Sequence, residues 1–133
     1  MRSSLQAYNK VNIGAQAAAA NPHKVVQMLL AGAIEKSLRA KLAIEQQQTA
    51  QKGELIGRAI DIISHLQAAL DHNTGGELAE NLSSIYGYAV RRLGEANATN
   101  DGDTLVEVAG LLRTLKEGWD AIPSEHHHLP IAG

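Results

Sequence analysis

Hydrophobic residues recur at helical spacing through most of this chain, in four long stretches separated by turn-forming residues. The first stretch runs from Asn21 to about Gln47. Asn21 is a good N-cap and Pro22 suits the first helical position, so a helix is predicted to begin here. Its apolar residues recur every four positions, with a second row beside them, which predicts a broad apolar face: Val26, Leu30, Ile34, Leu38 and Leu42, then Val25, Leu29 and Ala33.

Three further stretches predict helices from about Ala50 to His72, from about Glu77 to Ala98 and from about Asp103 to Ala121. Each has apolar residues at spacings of three and four, the period of one helix face. The rows are Leu55, Ala59, Ile62, Leu66 and Ala69; Leu78, Leu82, Ile85, Ala89 and Leu93; and Leu105, Val108, Leu112, Leu115 and Trp119. In the second stretch Ile56, Ile60, Ile63 and Leu70 form an adjacent row.

The connections between these stretches are short, which makes sequential helices antiparallel neighbours. No stretch alternates with the period of two that a strand requires. The sequence therefore predicts an all-α protein, an antiparallel up-down four-helix bundle over residues 21–122. Residues 1–20 are expected to form a flexible N-terminal arm and residues 123–133 a loose C-terminal tail.

Composition narrows the possible functions. The 133 residues contain no cysteine, which excludes disulfides, thiolate metal sites and a cysteine nucleophile. The formal net charge of −2 gives no field that would attract nucleic acid or anionic lipid. No apolar run is long enough for a secretory signal or a membrane span, so we expect a cytoplasmic protein without membrane insertion.

The titratable residues form no recognisable active site. His126, His127 and His128 are adjacent, but they lie in the predicted tail and are better explained as a surface segment. His23 is expected to be neutral and exposed at the start of the first helix. Gly75 and Gly76 lack the strand and the Lys-Ser/Thr pair of a phosphate loop, so they are predicted to end one helix and start the next. We expect no catalytic residue, no cofactor and no metal.

Several segments together resemble the flagellar secretion chaperone family FliS. They are Asn-Pro-His-Lys-Val-Val-Gln-Met-Leu-Leu-Ala-Gly-Ala at 21–33, Leu-Asp-His-Asn-Thr-Gly-Gly-Glu-Leu-Ala-Glu-Asn-Leu-Ser-Ser-Ile-Tyr-Gly-Tyr at 70–88 and Arg-Arg-Leu-Gly-Glu-Ala-Asn at 91–97. The resemblance extends from Tyr8 to Trp119. It implies a cytosolic bundle that binds the C-terminal segment of unpolymerised flagellin and presents it to a component of the flagellar export gate. It also implies that an N-terminal arm with a tyrosine, here Tyr8, can cover part of the client surface.

The double apolar rows leave more hydrophobic surface than one core needs, and grooves between helices can take an amphipathic segment. The predicted partner-binding residues are Tyr8 in the arm, Leu29 and Gly32 in the first helix, Ile62 and Leu66 in the second, and Tyr86 and Tyr88 in the third. Core packing is an equal alternative for Tyr86, and a core position is the favoured one for Trp119. We expect a monomer or a weak dimer.

A self-associating helical adaptor or structural protein is the alternative function. It would use the same apolar excess to form a dimer that ignores flagellin. A metal-dependent bundle enzyme would need stoichiometric iron or zinc, which we do not expect.

Overall fold

The computed structural model describes residues 21–126, and this part of the chain is helical with no strand. Helix α1 spans Pro22–Glu45, α2 Thr49–Ala68, α3 His72–Thr99 and α4 Gly102–Asp120. A short 3₁₀ helix, Ser124–His126, follows α4. The predicted all-α class and the four helices are confirmed.

Short polar side chains start three of the helices. The Asn21 side chain accepts from the Lys24 backbone N–H at 3.3 Å, as the sequence predicted. The Asp71 carboxylate accepts from two backbone N–H groups of α3, and the Asp101 carboxylate does the same at the start of α4. These bonds satisfy backbone donors that have no partner within a helix.

The helices form a ring in sequence order. Helix α1 packs extensively against α2 and α4, whereas α3 packs against α2 and, least closely, α4. Sharp turns make the neighbours antiparallel: Gln47 and Asn100 adopt the left-handed conformation, with φ of 57° and 55°. A single residue in this conformation ends a helix, so the chain can reverse its direction with few connecting residues.

The core stripe of α1 differs from the predicted row. The buried positions follow a spacing of three and four: His23, Val26, Leu30, Ala33, Ser37, Ala40 and Ala43. Alanine also occupies core positions of α2, α3 and α4, namely Ala59, Ala79, Ala89, Ala96 and Ala109. The predicted row with a spacing of four leaves this buried stripe after Leu30: Ile34 is partly buried, and Leu38 and Leu42 are exposed.

The rows of the other helices are closer to the prediction. Leu105, Val108 and Leu112 are buried on α4, and Leu115 and Trp119 continue the stripe in partly buried positions. On α3, the helix proper follows Gly76, whose φ of 53° and ψ of −129° interrupt the helical backbone. The predicted break at these glycines is therefore observed at Gly76, but it lies within α3, because α2 already ends at Ala68.

The start of α1 is fastened to the end of α4. His23 is buried and its ring stacks on that of Trp119, with centroids 4.7 Å apart. The prediction of an exposed His23 was wrong, because this stack covers the imidazole. At the other end of the bundle the buried Lys52 ammonium donates to the Asn97 backbone oxygen at 2.9 Å and to Asn100 Oδ1 at 2.6 Å.

Candidate partner-binding surface

An apolar row on α1 runs from the core to the surface. Residues four apart are rotated by about 40° around a helix, because four residues exceed one turn of 3.6. Leu30 is 1% exposed, Ile34 is partly buried, Leu38 is 36% exposed and Leu42 is 50% exposed. The row therefore presents two leucine side chains to solvent in the second half of the helix.

Two contacts show that this row faces the side of α4. Gln27 Nε2 donates to Asp120 Oδ1 at 2.7 Å. A Cβ placed on Gly102 would lie 3.3 Å from Lys41 Cγ. Gln27 and Lys41 are fourteen residues apart in α1, close to a whole number of turns, so both mark the flank that faces α4. Leu38 is one turn, three residues, before Lys41 and lies on the outer edge of that flank.

The facing wall on α4 is built largely from small and apolar residues. Val106 is 45% exposed, and Ala109, one turn later, is buried. A Cβ placed on Gly110 would meet nothing within 4 Å, so the surface above it is open. We call this surface the α1–α4 furrow and define it by Ile34, Leu38, Leu42, Val106, Ala109 and Gly110.

The sequence prediction placed the binding surface on the other flank of α1. The structure brings together Leu29, Gly32 and Ile62 there, at the junction of α1 and α2. A Cβ on Gly32 would lie 3.6 Å from Ile62 Cδ1, and Leu29 and Ile62 are both partly buried against the core. These apolar side chains are therefore less exposed than Leu38, Leu42 and Val106 of the α1–α4 furrow.

Two of the predicted binding residues lie inside the bundle. Leu66 is 3% exposed and Tyr86 is 4% exposed, so neither side chain forms a surface that a partner can contact directly. Burial raises the pKa of the Tyr86 hydroxyl. Core packing, the alternative considered for Tyr86, is the position observed. Tyr8 lies outside the described residues.

Tyr88 is 37% exposed and its hydroxyl is held between α3 and α4. It donates to Glu107 Oε1 at 3.1 Å, and Arg92 Nε donates to the same oxygen at 2.9 Å. Arg92 also pairs with Glu95 at 2.5 Å. The Arg92 guanidinium, helped by the Tyr88 hydroxyl, holds the pKa of the Glu107 carboxyl below its usual range. The network fastens one end of the loosely packed α3–α4 pair.

The furrow residues Leu38, Leu42 and Val106 were not among the predicted binding residues. The sequence of α1 nevertheless indicates that these leucines leave the core. A row with a spacing of four moves gradually around the helix, whereas alternating steps of three and four stay on one face. On α1 the alternating series runs through Ala33, Ser37 and Ala40. These residues are small or polar and therefore easy to overlook beside a row of leucines.

The described residues form no metal site and no pocket large enough for a peptide. No three His, Asp or Glu side chains converge on a common point within residues 21–126. A shallow pocket of about 140 Å³ lies beside Lys52 and Gln48, too small for a peptide helix. None of the helices in this part of the chain is sufficiently long and apolar to cross a membrane.

Comparison with known proteins shows to which family the chain belongs. A family model described as "Flagellar protein FliS" matches residues 4–126. The chain belongs to the FliS family. It is 46% identical over 132 residues to the flagellar secretion chaperone FliS of Vibrio cholerae, covering 99% of this chain and 97% of that protein.

Other FliS relatives are similar over most of their length. The flagellar secretion chaperone FliSB of Pseudomonas aeruginosa is 47% identical over 119 residues, which is 90% of this chain and 94% of that protein. FliS of Salmonella typhimurium is 42% identical over 121 residues, 90% of each chain. The resemblance inferred from residues 21–33, 70–88 and 91–97 is thus confirmed, and it places the chain in a family of flagellar secretion chaperones.

Proposed function

We propose that this protein is a cytosolic export chaperone for flagellin. It binds the C-terminal segment of the unpolymerised subunit on its helical surface. While bound, that segment cannot assemble into filament, and the complex is delivered to the flagellar export apparatus. No catalytic step, cofactor or metal takes part.

The exposed apolar row of the α1–α4 furrow carries this proposal. Leu38, Leu42 and Val106 are 36%, 50% and 45% exposed on two facing helices. A short amphipathic helix can lay its apolar face along such a row, in the manner of other helix-in-groove complexes. The bundle itself is packed before the client arrives, so the cost of ordering falls on the client, about 2 to 5 kcal/mol in coupled folding.

The test is calorimetric titration with a flagellin C-terminal peptide of about 40 residues, long enough for an interface of roughly 1,000 Å² or more. The double variant Leu38→Ser/Leu42→Ser should bind about tenfold more weakly or worse, because it removes two aliphatic contacts. The matched control is Leu78→Ser, since Leu78 is 48% exposed but lies on α3, away from the furrow. It should bind as the wild type does.

Absence of binding heat with the wild type would overturn the function. Equal affinity of the wild type and the double variant would instead remove the furrow from the binding surface. Circular dichroism of each variant checks that the helices are intact, and exposed leucines are expected to change the unfolding free energy by only about 0.5 kcal/mol.

Self-association through the same furrow is the second candidate, because a row of exposed leucines also suits a copy of this chain. Mass measurement by size exclusion with light scattering separates the two. A monomer or weak dimer that forms a one-to-one complex with flagellin supports the chaperone. A tight dimer that does not respond to flagellin supports the adaptor.

A further inference from the structure

Within residues 21–126, one cation beside the α1–α4 furrow is in no ion pair. Arg113 is exposed and lies seven residues after Val106, two turns along the same face of α4. It falls between the two contacts that join α4 to α1, at Gln27 and at Lys41. Arg113 therefore stands on the wall of the furrow, beside the apolar row.

The other cations near the furrow are already neutralised within their own helices. Arg39 pairs with Glu35 at 3.2 Å, Lys41 with Glu45 at 2.7 Å and Lys116 with Asp120 at 2.7 Å. Within residues 21–126, Arg113 makes no ion pair, although Glu117 follows it by one turn. Lys24 also lacks an ion pair in this part of the chain, but it lies nearly three turns before Ile34, beyond the furrow.

We infer that the furrow binds an amphipathic helix of about three turns whose edge carries a carboxylate that pairs with Arg113. This inference rests on the proposed function and assigns a chemistry to the client segment. The apolar row from Ile34 to Leu42 is about 12 Å long, which matches two to three turns of a partner helix. Its apolar side chains contact the row, and its acidic residue points toward α4.

Arginine suits this role because its planar guanidinium offers several donors in a fixed geometry and can hold a carboxylate through two hydrogen bonds. A docked helix would exclude water from one side of the pair. The pair is therefore stronger than the exposed pairs within α1, and it fixes the register of the partner along the row.

The experiment compares Arg113→Glu with Arg91→Glu in titrations with the flagellin peptide of about 40 residues. Both arginines are exposed and neither is in an ion pair within the described residues, so the two variants change the net charge equally. Arg91 lies on α3, outside the furrow. We expect Arg113→Glu to weaken binding about tenfold and Arg91→Glu to stay within about twofold of the wild type.

A second set of titrations identifies the carboxylate of the peptide that pairs with Arg113. Each acidic residue of the peptide is replaced in turn by lysine. One such replacement should weaken binding to the wild type and restore binding to Arg113→Glu, which is the signature of a direct pair. Restored affinity would show that the two side chains are in direct contact. If Arg113→Glu instead weakened binding by disturbing the structure, its affinity would stay low with every peptide.

Three results would overturn the inference. They are unchanged binding by Arg113→Glu, an equal loss with Arg91→Glu, and a peptide set in which no lysine replacement restores affinity. If the wild type binds and Leu38→Ser/Leu42→Ser does not, while Arg113→Glu binds normally, only the carboxylate assignment fails. If the wild type does not bind the peptide, the proposed function fails as well.

Discussion

The indole Nε1 of Trp119 donates a hydrogen bond to the backbone oxygen of His23 at 2.9 Å, while the two rings stack within 11° of parallel. The contact joins residues 96 positions apart in the chain. It also gives a polar partner to the indole N–H, which buried tryptophans usually require. The first turn of α1 and the last turn of α4 are held together by this pair.

Replacing Trp119 with phenylalanine should keep the ring contact and remove the hydrogen bond. We expect the free energy of unfolding to fall by about 1 kcal/mol. Urea titration followed by circular dichroism measures the change without relying on the tryptophan signal. Met28→Ala, at a side chain that is 41% exposed on α1, should stay within about 0.5 kcal/mol of the wild type. A Trp119→Phe protein as stable as the wild type would contradict the role of the bond.

The carboxylate caps make stability depend on pH. The Thr104 hydroxyl and backbone N–H hold the pKa of Asp101 below its usual range, and Thr74 does the same for Asp71. A pKa that is lower in the folded state means that the unfolded chain binds more protons. This stabilisation is therefore complete above about pH 5 and is lost as the pH falls through about 4 and below.

Asp101→Asn tests the effect of charge separately from the cap, because asparagine also accepts from the backbone N–H groups. Its unfolding free energy should fall less steeply between about pH 5 and pH 3 than that of the wild type. Asp61→Asn, on the exposed side of α2, removes the same charge away from any helix cap and is the control. Identical slopes for all three proteins would show that the Asp101 charge does not matter.

Lys52 is expected to stabilise the end of the bundle where α2 begins and α3 ends. Its ammonium bonds to two oxygens of the Asn97–Asn100 segment, and its side chain is only 6% exposed. Lys52→Met keeps the aliphatic stem but leaves these oxygens without their donor, which should lower the free energy of unfolding by about 2 kcal/mol.

Lys24→Met is the matched control for Lys52, since Lys24 is exposed and its side chain bonds to nothing in the described part of the chain. Its free energy of unfolding should change by less than about 0.5 kcal/mol. Chemical denaturation at pH 7 compares the two variants. If the two variants have equal free energies of unfolding, the two hydrogen bonds of Lys52 make no net contribution to stability.

Two glycines should respond to alanine in opposite directions. Gly76 has a φ of +53°, which an L side chain rarely adopts, so Gly76→Ala should destabilise by about 1 to 2 kcal/mol. Gly57 lies inside α2, and a Cβ there meets nothing within 4 Å. Gly57→Ala should stabilise by about 0.5 to 1 kcal/mol. Thermal and urea unfolding should agree on the sign, and two changes of the same sign would refute the distinction.

The sequence predicted the helices well because their signals are local. Asn21, Gly76 and the apolar steps from Leu105 to Trp119 each act within a few residues of chain, through capping, backbone freedom or face periodicity. Trp119 was correctly favoured as part of the core stripe of α4. The number and order of helices follow from such signals alone.

The surface was harder to predict because exposure depends on the neighbouring helix. His23 is buried and stacks on Trp119, 96 residues later in the chain, whereas Leu42 is 50% exposed although it belongs to the same apolar row as the buried Leu30. Leu66 and Tyr86 have the same apolar character as furrow residues, yet they point inward. The spacing of hydrophobic residues in the sequence shows how much apolar surface a helix has. It does not show which part of that surface the neighbouring helices leave exposed.

Alanine occupies many of the core positions, and such small side chains let helix axes approach closely. A foreign side chain could enter a packed core only by displacing the helices, at a cost of about 1 to 3 kcal/mol. Under the proposed function, a client segment would contact the outer faces of the helices, and the core would stay as it is.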